Sequence, residues 1–143
     1  MYAELEFFSY IFGIKELLYK RIKALFENEG LNSTEIMVIY LIQHKLQECK
    51  TSDLAKALHL PMSTLTGVID KLVEKDIVFR ENDPEDRRVI FVKLKPEFKA
   101  KAEHCMHTLE ETLQEMTEKL GVEWFTDFTQ KLKTFKEILE NRG

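Results

Sequence analysis

A chain of 143 residues, 44% hydrophobic and 32% charged, suits one compact globular domain or one small domain with helical extensions, and it is too apolar to stay disordered. No apolar run approaches the ~18 residues of a membrane span, and two widely separated cysteines, Cys49 and Cys105, exclude a disulfide framework and a four-cysteine zinc site within one chain. The formal net charge of −4, and so −8 for a dimer, opposes nucleic-acid binding over the whole surface, yet DNA responds to the local surface and an acidic protein still docks through local basic residues.

The start, Met1 to Glu6, is acidic where a secretory signal is basic, so a cytoplasmic location is expected. Leu5 to Glu29 reads as a long helix: Phe7, Ile11, Ile14, Leu18, Ile22 and Leu25 recur at spacings of three and four, and Asn28-Glu29-Gly30 ends it. A second helix is expected from Ser33 to about Gln47. Asn32 and Glu35 form a capping-box start, and Ile36, Ile39, Tyr40 and Leu41 supply its apolar surface. Thr51 to Leu58 reads as a short helix capped by Thr51 or Ser52, with Leu54, Ala55 and Leu58 inward. His59-Leu60 is a turn, and Pro61 opens a helix that runs to about Lys75. Two short helices joined by a tight turn form a helix-turn-helix pattern.

Two strands follow, Ile77 to Glu81 and Val89 to Leu94, separated by the turn-forming Asn82-Asp83-Pro84-Glu85-Asp86 and bounded by Lys95-Pro96. A hairpin in this place is a wing. Beyond it, Ala102, Met106, Leu109, Leu113, Met116 and Leu120 alternate spacings of four and three. Phe125, Phe128, Leu132, Phe135 and Leu139 repeat the pattern after Gly121. Such seams need a partner helix, because a lone helix of ~22 residues stretches about 33 Å, too far for a small domain to cover. The expected architecture is mainly α with a small β-wing. Residues 1–30 and 96–143 form dimerisation helices around a winged helix-turn-helix at 31–95.

At 100° per residue, Leu65, Val68, Ile69, Leu72 and Val73 share one stripe of the helix from Pro61 and are expected to face the core. The opposite face and its flanks carry Ser63, Thr64, Thr66, Gly67, Asp70, Lys71 and Glu74. A helix that enters the major groove by its N-terminal end needs small hydrogen-bonding residues there, to meet phosphates and base edges. Gly67 lies at the centre of that face, where core packing gives no reason for it. Close approach of backbone to DNA supplies one, and a tolerated defect is the other reading. Asp70 and Glu74 oppose phosphate binding; Asp70 is expected to pair with a cation or accept from a cytosine amine, and Glu74 to join an i,i+4 charge pair. At the wing tip, Arg87 and Arg88 suit the negative potential of a minor groove, and Asp86 is spaced to hold Arg88 by a bidentate bond.

From Leu31 to Leu94 the sequence resembles the MarR family of bacterial transcriptional regulators. The resemblance rests on Ser52-Asp53-Leu54-Ala55-Lys56-Ala57-Leu58, on Ser63 through Leu72, and on Arg80 through Asp83-Pro84-Glu85-Asp86-Arg87-Arg88-Val89. It implies a homodimer that binds an inverted repeat in double-stranded DNA, usually as a repressor relieved by a small molecule or an oxidant. The DNA-binding residues expected are Ser52, Ser63, Thr64, Thr66, Gly67, Lys71, Arg87 and Arg88, with Asp86 supporting the wing. Three departures from the family pattern stand out. Gly67 occupies a place where many members carry arginine, Asp76 replaces the glycine usual before the first wing strand, and Lys95-Pro96-Glu97-Phe98 replaces Leu-Thr-x-x-Gly.

Four rival readings were weighed. His104, Cys105 and His107 on one helix offer zinc ligands, with Glu103 or Glu111 to complete the shell, but no second cluster in the N-terminal half completes a site. A thiol sensor needs a lowered cysteine pKa, which only Lys50 beside Cys49 offers. An enzyme is not expected, since Walker, GxGxxG, GxSxG and HExxH motifs are lacking, and neither is a cofactor. A winged-helix protein-interaction module has no need of the arginine pair at the wing tip.

Overall fold

The computed structural model describes residues 3–26, 29–45 and 49–142. They form α1 (Ala3–Leu25), α2 (Ser33–Tyr40), α3 (Thr51–Leu58), α4 (Met62–Glu74), β1 (Val78–Asn82), β2 (Ile90–Leu94), α5 (Pro96–Leu120) and α6 (Val122–Arg142). The chain divides into two compact units, Met1–Cys105 and Met106–Gly143. No helix among the described residues is long and apolar enough to cross a membrane.

The core of the first unit is built from the stripes that the spacing picks out. Val38 and Ile39 of α2, Leu54 of α3, and Leu65, Ile69 and Leu72 of α4 are fully buried, with Ile77, Val78 and Val92 from the wing base. Val68 is only half-buried and Val73 is exposed, so the inward stripe of α4 is narrower than its apolar residues. The capping box of α2 is complete: Asn32 Oδ1 accepts from the Glu35 N–H at 2.9 Å and Glu35 Oε1 accepts from the Asn32 N–H at 3.0 Å.

Several boundaries differ from the sequence expectation. α1 stops at Leu25 because Phe26 turns inward and stacks on Phe98, with ring centroids 5.8 Å apart; Asn28 lies outside the described residues. The second helix is regular only to Tyr40, and Leu41–Lys45 continue it as a wider π-helical turn; Leu46 and Gln47 lie outside the described residues. Neither Thr51 nor Ser52 caps α3. The cap position is Lys50, held extended by an antiparallel bridge to Phe91, and it makes no side-chain capping bond. The chain thus leaves an edge of the sheet directly into a helix. Pro61 stands just before α4 as its cap and not as its first residue. Each wing strand starts one residue later than expected.

The sheet is a two-stranded antiparallel hairpin with Val78 opposite Leu94 and Asn82 opposite Ile90. Its base is closed by the Lys95 N–H donating to the Ile77 carbonyl at 2.8 Å, and midway along β2 the Val92 N–H donates to the Cys49 carbonyl at 2.8 Å. Asp76 explains its own departure from glycine. It takes a left-handed φ of 62°, which a short polar side chain tolerates better than most, and its carboxylate meets Lys95 Nζ at 2.9 Å.

The terminal helices are apolar without being buried. No residue of α1 or α6 is buried, and Leu5, Phe8, Phe12 and Leu17 on α1, like Trp124, Phe128, Ile138 and Leu139 on α6, are exposed.

Candidate nucleic-acid interface

α3 and α4 meet through His59, which takes φ 54° and ends α3, while the Leu60 N–H donates to the Ala55 carbonyl at 2.9 Å. This tight reversal lets both helices reach the same core while the far side of α4 stays open. Ser63, Thr64, Thr66, Gly67 and Lys71 are all exposed on α4, and Ser52 is exposed in the first turn of α3. A Cβ built on Gly67 meets nothing within 4 Å, so no intramolecular contact demands a glycine there. Thr66 is less free than its neighbours: its hydroxyl donates to the Met62 carbonyl at 2.8 Å, which leaves its oxygen and methyl for other contacts.

The wing tip is ordered by its acids. Asp83 Oδ1 accepts from the Glu85 N–H at 2.9 Å, and the Val89 N–H donates to the Asp86 carbonyl at 3.0 Å. Asp86 Oδ1 accepts from the Arg88 backbone N–H at 3.0 Å and from Arg88 Nε at 3.2 Å, while Oδ2 accepts from Nη2 at 3.4 Å. The Arg88 backbone bond, then its guanidinium, hold the Asp86 carboxyl below the usual carboxylate range. The expected two-point grip is therefore present, and it leaves the Arg88 side chain 91% exposed. Arg87 is also exposed.

Arg80 on β1 was not singled out by the sequence as a site residue. Its Nη2 lies 2.6 Å from Asp70 Oδ1 and 3.5 Å from the Thr66 carbonyl oxygen. The only signal for it was indirect, since an acid on the open face of α4 calls for a cation from elsewhere.

Among the described residues no three His, Cys, Asp or Glu side chains are grouped to hold a metal ion. Cys105 is buried with its thiol donating to the Leu25 carbonyl at 3.1 Å, and exposed His107 pairs with Glu111 at 3.2 Å. Both cysteines are free and buried. Burial pushes the Cys49 thiol up to about 12, and the Asp53 carboxylate adds to the shift; burial raises Cys105 as well. Both shifts run opposite to the lowered pKa that a reactive thiolate needs. Because the unfolded Cys49 ionises near 9 and the folded one does not, stability is expected to fall as pH rises from about 9 toward 12. Denaturant midpoints measured across that range, beside Cys49→Ala, check this, and the variant should show the shallower slope.

Three short helices, a tight turn between the last two and an arginine-tipped hairpin define a winged helix-turn-helix protein. The sequence model of the MarR family matches residues 31–90, from the residue before the α2 cap to the first residue of β2. The HTH-type transcriptional repressor YetL of Bacillus subtilis is 25% identical, over 94% of this chain and 86% of that protein. The adhesin competence repressor AdcR of Streptococcus pyogenes is 26% identical, with 98% of this chain and 99% of that chain covered and a TM-score of 0.67. FabT of Streptococcus pneumoniae, solved in complex with DNA, is 17% identical, with 99% and 100% covered and a TM-score of 0.82, a likeness of fold.

Proposed function

We propose that this regulator is a ligand-responsive repressor that binds an inverted-repeat operator as a homodimer. α4 enters the major groove and the wing, residues 77–94, reaches the minor groove. The observation that carries the reading is Arg88, fixed at the hairpin tip by Asp86 and still almost fully exposed. A guanidinium held in one rotamer loses little side-chain freedom on entering a narrow groove. Ser52, Ser63, Thr64, Thr66, Gly67 and Lys71 supply the phosphate and base contacts, with Arg87 supporting Arg88. FabT's solution in complex with DNA, and the description of YetL as a repressor, agree with this assignment.

Dimerisation through residues 1–30 and 96–143 is supported by the exposed large apolar residues of α1 and α6, since an extended exposed apolar patch belongs in an interface. An effector site is supported by a cavity of about 350 Å³ bounded by Lys15, Tyr19 and Ile22 of α1, Ile36 and Met37 of α2, and Leu60 of the α3–α4 turn. Tyr19 is the one aromatic residue that lines it. A ligand there acts by its differential affinity for two placements of α4.

Selection of bound duplexes from a fragment library of the source genome, by the purified two-chain species, tests the function. Recovery of an inverted repeat supports it. No enrichment at low salt by the folded dimer, with bound ligand removed, overturns it. Gly67 supplies a second test. Gly67→Ala is expected to stabilise the fold by about 1 kcal/mol, as a helix interior should, and yet to weaken binding of the recovered duplex, because the added methyl stands where the DNA backbone approaches. Thermal unfolding beside duplex titration reads both signs.

A further inference from the structure

We propose that the Asp70–Arg80 pair is a strut that sets the wing at a fixed distance from the recognition helix, so that both residues are positioning residues for DNA binding. The inference rests on the reading of α4 and the wing as the two DNA-contacting elements. Arg80 lies on β1, two residues before the strand ends at Asn82, and β1 and β2 carry the tip with Arg87 and Arg88. Asp70 lies on the open side of α4, one turn beyond Thr66. A single guanidinium nitrogen reaches both, at 2.6 Å from the carboxylate and 3.5 Å from the Thr66 carbonyl oxygen. The wing is otherwise tied to the rest of the fold at its base, where the Ile77 N–H donates to the Leu72 carbonyl, and along β2, where the Val92 N–H donates to the Cys49 carbonyl and Phe91 bridges to Lys50. The latter two ties are on β2, and a two-stranded hairpin is marginal by itself. The Asp70–Arg80 contact joins β1 directly to α4, at the rung where Arg80 faces Val92.

The pair also resolves an electrostatic conflict. An unpaired carboxylate at position 70 repels the phosphates that the neighbouring hydroxyls are there to meet. Paired with Arg80, it contributes a neutral dipole. The pair is partly exposed, with side chains 32% and 56% accessible, so its worth to overall stability is small. Its value lies in placement.

The test is a cycle of Asp70→Ala, Arg80→Met and the double variant, with Arg88→Ala alongside, all titrated on the duplex recovered by the wild-type dimer. Helical content and thermal unfolding are read for each. Removing an acid from a DNA-facing helix, and putting a better helix former in its place, would by charge and propensity alone leave binding unchanged or tighter. A strut predicts the opposite sign: Asp70→Ala and Arg80→Met each weaken binding about five- to tenfold, and the double variant is no weaker than either single one. Arg80→Met also takes away most of the effect of Arg88→Ala when the two are combined. Tighter or unchanged binding in Asp70→Ala overturns the inference. So do losses that multiply, which would mean separate contacts, Asp70 to a base and Arg80 to a phosphate. Unchanged binding in Arg88→Ala overturns the minor-groove reading, and the strut with it; a loss there with no loss in Arg80→Met overturns the strut alone.

Discussion

Arg88→Ala is expected to weaken binding of the recovered operator by about 1–3 kcal/mol while leaving the dimer and its thermal unfolding unchanged. The side chain is 91% exposed and its ion pair among the described residues is with Asp86, so its removal costs little in the free protein. The whole loss then falls on the bound state. The salt dependence should flatten as well, since one phosphate-neutralising cation is gone. Asp86→Asn should give a milder version, because the guanidinium remains but is no longer gripped at two points. Since the Asp86 carboxyl sits below the usual carboxylate range, the grip and the wing order that it brings should persist on mild acidification and fail only as pH drops through that lowered value. Equal affinity of wild type and Arg88→Ala across salt concentrations would remove the wing from the interface.

The largest effect on stability is expected at Lys75. Glu35 is the buried charged residue of the described core, 1% exposed, and both its oxygens are occupied. Oε1 accepts the Asn32 N–H, and Oε2 lies 2.8 Å from Lys75 Nζ, which also donates to the Gly30 carbonyl at 3.0 Å. One ammonium thus ties the end of α4 to the start of α2 and to the turn before it, where Gly30 takes φ 64°. Lys75→Met leaves the buried carboxylate with a backbone donor alone. A fully buried broken pair costs about 3–5 kcal/mol, and because the Lys75 side chain is 30% exposed water reaches part of the gap, so about 2–3 kcal/mol is expected. Urea unfolding gives the figure. Glu35→Gln combined with Lys75→Met should recover much of it by removing the stranded charge, and a single-variant loss below about 0.5 kcal/mol would mean that water already solvates Glu35.

The sequence alone determined what local rules govern. Helix periodicity identified every helix. The Asn32–Glu35 box located the start of α2 to the residue, and Asp83-Pro84 and the strand runs located the wing. The Asp-x-Arg spacing of Asp86 and Arg88 was enough to foresee the grip, because both partners lie within one turn and nothing distant intervenes. The tertiary structure alone decided everything that depends on residues far apart in the chain. Lys75 reaches Glu35 across 40 positions and Arg80 reaches Asp70 across ten. Phe98 draws in Phe26 and ends α1 early, and Phe91 holds Lys50 extended so that no side chain caps α3. Cys49, beside a lysine in sequence, has its thiol pushed up, because burial and the Asp53 carboxylate both disfavour the thiolate. Periodicity and turn chemistry are written in neighbouring residues; which charge meets which, and which group loses water, follow only once the chain has packed.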